Sequence, residues 1–104
     1  MVDGPNGKEI VYKSGDVDRK AMILKKPPPH YPRTARGRQV EGMVILSVVL
    51  SSTGQVTNIR VVRGVPGLNE SAIDAAKLIV FEPALRDGKP VATRVGMEYT
   101  YHIY

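Results

Sequence analysis

The chain offers little with which to make or break a covalent bond. His30 and His102 are its only histidines. One follows a run of prolines and the other lies near the chain end, so neither has a neighbour at metal-ligand or general-base spacing. The carboxylates are isolated in sequence, with no pair set for acid–base work. Ser47, Ser51, Ser52 and Ser71 lack the strand–turn–helix setting of an activated nucleophile. The glycines do not form a phosphate-cradling pattern. Cysteine is absent, which excludes a disulfide scaffold and a thiolate metal site. These residues predict a protein that is not an enzyme and uses no metal and no cofactor.

What remains is the hydrogen-bonding chemistry of the backbone. Val91, Thr93, Val95, Met97, Tyr99, Tyr101 and Ile103 alternate with Ala92, Arg94, Gly96, Glu98, Thr100, His102 and Tyr104. Mostly apolar against mostly polar at period two predicts a half-buried strand over residues 90–104. At about 3.3 Å per residue it would run roughly 45–50 Å. A small domain cannot pair the whole of such a strand internally. An unpaired edge recruits another strand. The expected partner-binding residues are Arg94, Val95, Gly96, Met97, Glu98, Tyr99, Thr100 and Tyr101, with Arg94, Glu98 and Thr100 biasing which peptides bind.

The elements that would position this strand read as follows. Residues 1–28 form an extended lead-in, with a weak strand signal at Glu9–Tyr12 and a stiff polyproline end at Pro27-Pro28-Pro29. The domain proper spans 29–104. Tyr31-Pro32 opens a short helix, ended by Gly37 in the left-handed conformation. Val40–Leu50 is a long strand that is apolar on both faces, so both faces must be at least partly covered. Ser51-Ser52-Thr53-Gly54 turns the chain into a returning strand, Gln55–Arg63, whose spacing from Val56 to Ile59 implies a bulge. Asn69 is placed to cap a second helix in which Ala72, Ile73, Ala76, Ile79 and Val80 recur at helical spacing. Pro83 stops it by Phe81. The expected fold is α+β: an α-β-β-α-β order with two helices on one face of a three-stranded antiparallel sheet.

One domain is the natural count for 104 residues. The net charge of +5 favours anionic surfaces. The basic residues are scattered among acids, and the largest cluster is only Arg33, Arg36 and Arg38, so nucleic-acid binding is not expected.

Tyr31-Pro32-Arg33-Thr34-Ala35-Arg36, Val40-Glu41-Gly42-Met43-Val44, Thr53-Gly54-Gln55-Val56, Asp74-Ala75-Ala76, Phe81-Glu82-Pro83-Ala84 and Gly88-Lys89-Pro90-Val91 occur in order. Through them the chain resembles the TonB C-terminal domain family over residues 29–103. The resemblance implies a periplasmic domain of an energy transducer anchored in the inner membrane. It implies an upstream membrane helix and a proline-rich linker, which these residues do not contain, with Pro27-Pro28-Pro29 as the linker's last remnant. It also implies capture of the TonB box of outer-membrane transporters by the last strand, and ExbB- and ExbD-type partners acting through the anchor. Arg33 and Arg36 are carried over as transporter contacts. The sequence departs from the family pattern at Thr34, where the best-known member has arginine, and at Ile79-Val80, where a tryptophan is often found.

Two other uses of the same edge are open at this level. One is homodimerisation, aided by the apolar face of Met43, Ile45 and Val49. The other is a module of the same fold in an envelope sensor or a TolA-like tether.

Overall fold

The computed structural model describes residues 9–103. Residues 1–8 of the expected lead-in and Tyr104 of the expected last strand lie outside the described residues. In chain order the elements are β1 Val11–Lys13, β2 Met22–Lys25, α1 Arg33–Gly37, β3 Gly42–Leu50, β4 Val56–Arg63, α2 Asn69–Ala76, β5 Val80–Glu82, β6 Ala84–Arg86 and β7 Lys89–Tyr101.

β3 organises the sheet because both of its sides are paired, β4 along one and β7 along the other, both antiparallel. Its register with β7 runs without a break from Gly42 opposite Tyr101 to Leu50 opposite Thr93. The expected bulge lies in β4, where the register slips between Ser47 and Val49 and Asn58 takes a φ of 48°. Val44, Leu46, Val48 and Leu50 are sealed from solvent and share the helix-facing side with Met97, Tyr99 and Tyr101. Ala35 of α1 and Ala72, Ala75 and Ala76 of α2 close the same core. Small side chains let both helices lie close to this one face. On the other face Val49 is buried, Ile45 half-buried and Met43 exposed.

The sheet is larger than three antiparallel strands. β1 lies against β7 on the side away from β3 and runs parallel to it. β6 folds back on β7 through a two-residue turn in which Asp87 and Gly88 both have positive φ, the geometry of a type I′ hairpin. β2 and β5 form a separate antiparallel ribbon. Described residues 9–28 thus contribute strands to both sheets.

Three local expectations are corrected. α2 ends at Ala76, and Val80 and Phe81 belong to β5. The β-branched Ile79 and Val80 favour extended backbone, and pairing with Met22–Lys25 supplies the hydrogen bonds that another helical turn would have made. Asn69 does not cap α2: its Oδ1 accepts the Val65 N–H at 2.8 Å, and Leu68 holds the cap position. Gly37 lies within α1, and the left-handed residue that redirects the chain is Gln39. A glycine is needed instead at Gly42, with a φ of 152°, where an added Cβ would sit 2.9 Å from Val65 Cγ2.

Candidate functional site

The outer side of β7, away from β3, is only partly covered by described strands. β1 takes Ala92, Thr93 and Arg94, opposite Val11, Tyr12 and Lys13. Beyond Arg94, no described strand pairs Val95–Tyr101 on the side away from β3. That open flank is about 23 Å long at the usual strand rise. It contains seven of the eight sequence-predicted edge residues. Arg94 is the exception, because β1 already pairs it.

Which backbone groups face outward follows from the pleat. In an antiparallel pair, residues turn both their N–H and C=O toward the partner or away from it in alternation. The Glu98 carbonyl accepts a hydrogen bond from Lys26 Nζ at 2.8 Å. Glu98 therefore turns away from β3, and Gly96 and Thr100 turn the same way. Each offers one donor and one acceptor to the flank.

The side chains divide by face. Val95, Met97, Tyr99 and Tyr101 point into the core side, and all but the half-buried Val95 are buried. Arg94, Glu98 and Thr100 point to the outer face, where Arg94 Nη1 donates to Ser47 Oγ at 2.8 Å. Tyr101 is fixed at its tip by Ser71 Oγ at 2.9 Å, and its ring meets Tyr31 edge-on at 5.5 Å between centroids. Tyr31 in turn donates to the Val40 carbonyl. Burial pushes the Tyr99 and Tyr101 phenols above the ordinary tyrosine value. Neighbouring Tyr101 adds to the rise at Tyr99, and the Ser71 hydrogen bond offsets part of it at Tyr101.

Arg33 and Arg36 sit apart from the flank on α1, both exposed. Arg36 is linked to it indirectly: its guanidinium lies 5.6 Å from the Tyr31 ring, which packs on Tyr101. Lys26, by contrast, lies directly on the flank. Its ammonium is 4.7 Å from the centre of the Tyr99 ring as well as bonded to the Glu98 carbonyl. Its position is not legible in the sequence, because nothing in a lysine before three prolines says which strand it will reach. A further contact ties down the start of β1: the Glu9 carboxylate accepts from the Ser52 N–H at 3.1 Å, from Ser51 Oγ at 3.2 Å and from the Ser52 hydroxyl.

The arrangement can add a strand, and the described residues hold no group of three or more acidic, histidine or cysteine side chains placed to bind a metal. No described helix is long and apolar enough to cross a membrane.

Residues 27–103 match the family described as Gram-negative bacterial TonB protein C-terminal. Among curated relatives, Protein TonB of Vibrio cholerae serotype O1 is 36% identical over 81 residues, covering 76% of this chain and 33% of the relative. Protein TonB of Xanthomonas campestris pv. campestris is 37% identical over 99 residues, covering 91% of this chain and 44% of the relative. The solution structure of the Pseudomonas aeruginosa TonB C-terminal domain superposes with a TM-score of 0.66 at 30% identity, over 80% of this chain and 86% of that one. The chain spans less than half the length of the curated relatives it matches.

Proposed function

Because the chain belongs to the TonB C-terminal family, we propose that it is the periplasmic, non-enzymatic domain of an energy transducer anchored in the inner membrane. In this reading it captures the TonB box of an outer-membrane transporter by adding that segment as a strand to the flank of β7. It thereby links the proton-motive force, delivered through ExbB- and ExbD-type partners at the anchor, to active uptake of cargo such as siderophores. Arg33 and Arg36, at the far end of the Tyr31–Tyr101 contact, would meet the transporter beside the added strand.

The observation that carries the reading is β1. The chain lays three of its own residues along the outer side of β7 and stops at Arg94, leaving Val95–Tyr101 open. The flank is thus already used as a template in cis. Each backbone hydrogen bond to an added strand contributes about 0.5–1.5 kcal/mol net, and ordering the peptide offsets much of the sum. The result is modest, reversible affinity, suited to a link that forms under load and lets go.

The test is titration of the isotope-labelled chain with a peptide from the N-terminal segment of a transporter. The amides of Gly96, Glu98 and Thr100 should shift and become protected from exchange. Perturbation confined to the β4 side of the sheet would overturn the reading.

A further inference from the structure

Lys26 occupies the acceptor that a docking strand needs most. Glu98 lies at the middle of the open flank, and its carbonyl is already bonded to the Lys26 ammonium at 2.8 Å. The same ammonium lies over the Tyr99 ring at 4.7 Å. The position is built from both sides. β2, ending at Lys25, is pinned to β5. On the other side Pro27-Pro28-Pro29 is stiff, the His30 carbonyl accepts from Ser71 Oγ, and Tyr31 is held by Tyr101 and Val40. Lys26 is therefore presented to the flank by a fixed backbone, unlike a freely rotating surface lysine.

A strand laid along Gly96–Thr100 requires the Glu98 carbonyl for one of its own N–H groups, and Lys26 must give it up. The displaced ammonium loses a charge-assisted hydrogen bond and its place over an aromatic face. It stays on the helix side of the sheet, because that is the side from which Tyr99 receives it. A docking strand projects every second side chain to that same side. A carboxylate there would take up the released ammonium, whereas a neutral side chain would leave it without a partner.

We infer that Lys26 is a selectivity latch on the open flank, which favours an extended segment carrying a carboxylate on its core-side face and disfavours neutral segments. This rests on the strand-capture reading above. It also gives the lysine a protective role, since a charged side chain on an exposed edge opposes indiscriminate pairing.

The experiment uses the full chain, its Lys26→Met and Lys26→Gln variants, and a set of short Val/Thr-alternating peptides. Within the set a single Glu, or a Gln control, is moved along the sequence, and affinities are measured by calorimetry at low and moderate salt. The unmodified chain should bind one Glu-containing peptide about tenfold more tightly than its Gln control, and salt should weaken that preference. Both variants should bind the neutral peptides at least as tightly as the unmodified chain does and show no Glu preference. Binding by all three proteins with the same preference would overturn the latch and leave strand capture standing. No binding of any peptide by any of the three would overturn strand capture, and the latch with it.

Discussion

Replacing Gly96 with proline removes one backbone donor and puts a ring carbon where it stood. The alternation of β7 turns that donor toward the open flank. Proline is tolerated in a strand where its nitrogen faces outward. Its Cβ meets nothing closer than the Leu46 carbonyl oxygen at 3.9 Å, an ordinary contact. Folding stability should therefore change by no more than about 1 kcal/mol. Docking is affected more. A strand pairs at about 4.8 Å, and the ring blocks that approach as well as deleting a bond. Losing two of the available bonds at about 0.5–1.5 kcal/mol each weakens binding by about 1–3 kcal/mol, or roughly 5- to 150-fold in Kd. Calorimetry with a transporter-derived peptide reads the affinity, and urea unfolding reads the stability. Met97→Pro is the paired control. Its N–H faces β3, so it should lose about 3 kcal/mol or more of stability. An unchanged Kd for the Gly96→Pro chain would refute the flank as the docking site. Failure of that chain to fold would refute the phase of the alternation.

Thr93 Oγ1 is buried, with no hydrogen-bond partner among the described residues. Thr93→Val keeps the shape and removes the unpaired group, so it should stabilise by about 1 kcal/mol in urea unfolding. Tyr99 and Tyr101 hold their protons more tightly in the folded chain, because burial raises both above the ordinary value of 10.0. Their contribution to stability should be constant below pH 10 and be lost as pH rises through and beyond that value, as an unfolding series in alkaline buffers would show. Glu9→Ala cuts the contacts that tie the start of β1 to the β3–β4 turn. Amide exchange at Ala92 and Arg94 should then rise about tenfold or more while β3 stays protected, and unchanged exchange would mean β1 holds without that anchor.

How much of this was legible before the fold depended on whether the deciding partner was near in sequence. The β7 pattern needed only its own alternation; that Ala84–Arg86 folds back on it as a further strand was not legible there. The long β3 was equally plain, with both of its faces apolar. β1 was faint because three residues with the pattern exposed, half-buried, exposed carry almost no periodicity. What makes Val11–Lys13 a strand is β7, some eighty residues on. Ile79 and Val80 satisfied a helical spacing and a strand propensity equally well, and only β2 decided between them. Lys26 was invisible for the same reason: its importance lies in a carbonyl 72 positions away.

An open strand edge is a hazard, and the way this one is covered indicates its intended partner. β1 covers the flank from Ala92 to Arg94 with backbone, which an incoming strand cannot readily displace. Among the described residues the remainder carries one side-chain cap, which it can. Pairing of two copies edge to edge about Glu98 would bring two Lys26 ammonium groups to one seam with no carboxylate released to meet them, a like-charge arrangement that opposes association. A foreign segment bearing an acid meets no such obstacle. The same lysine thus works against the homodimer and for the heterologous strand, and sedimentation of the Lys26→Met chain, which should self-associate more than the unmodified one, separates this account from one in which the flank serves dimerisation.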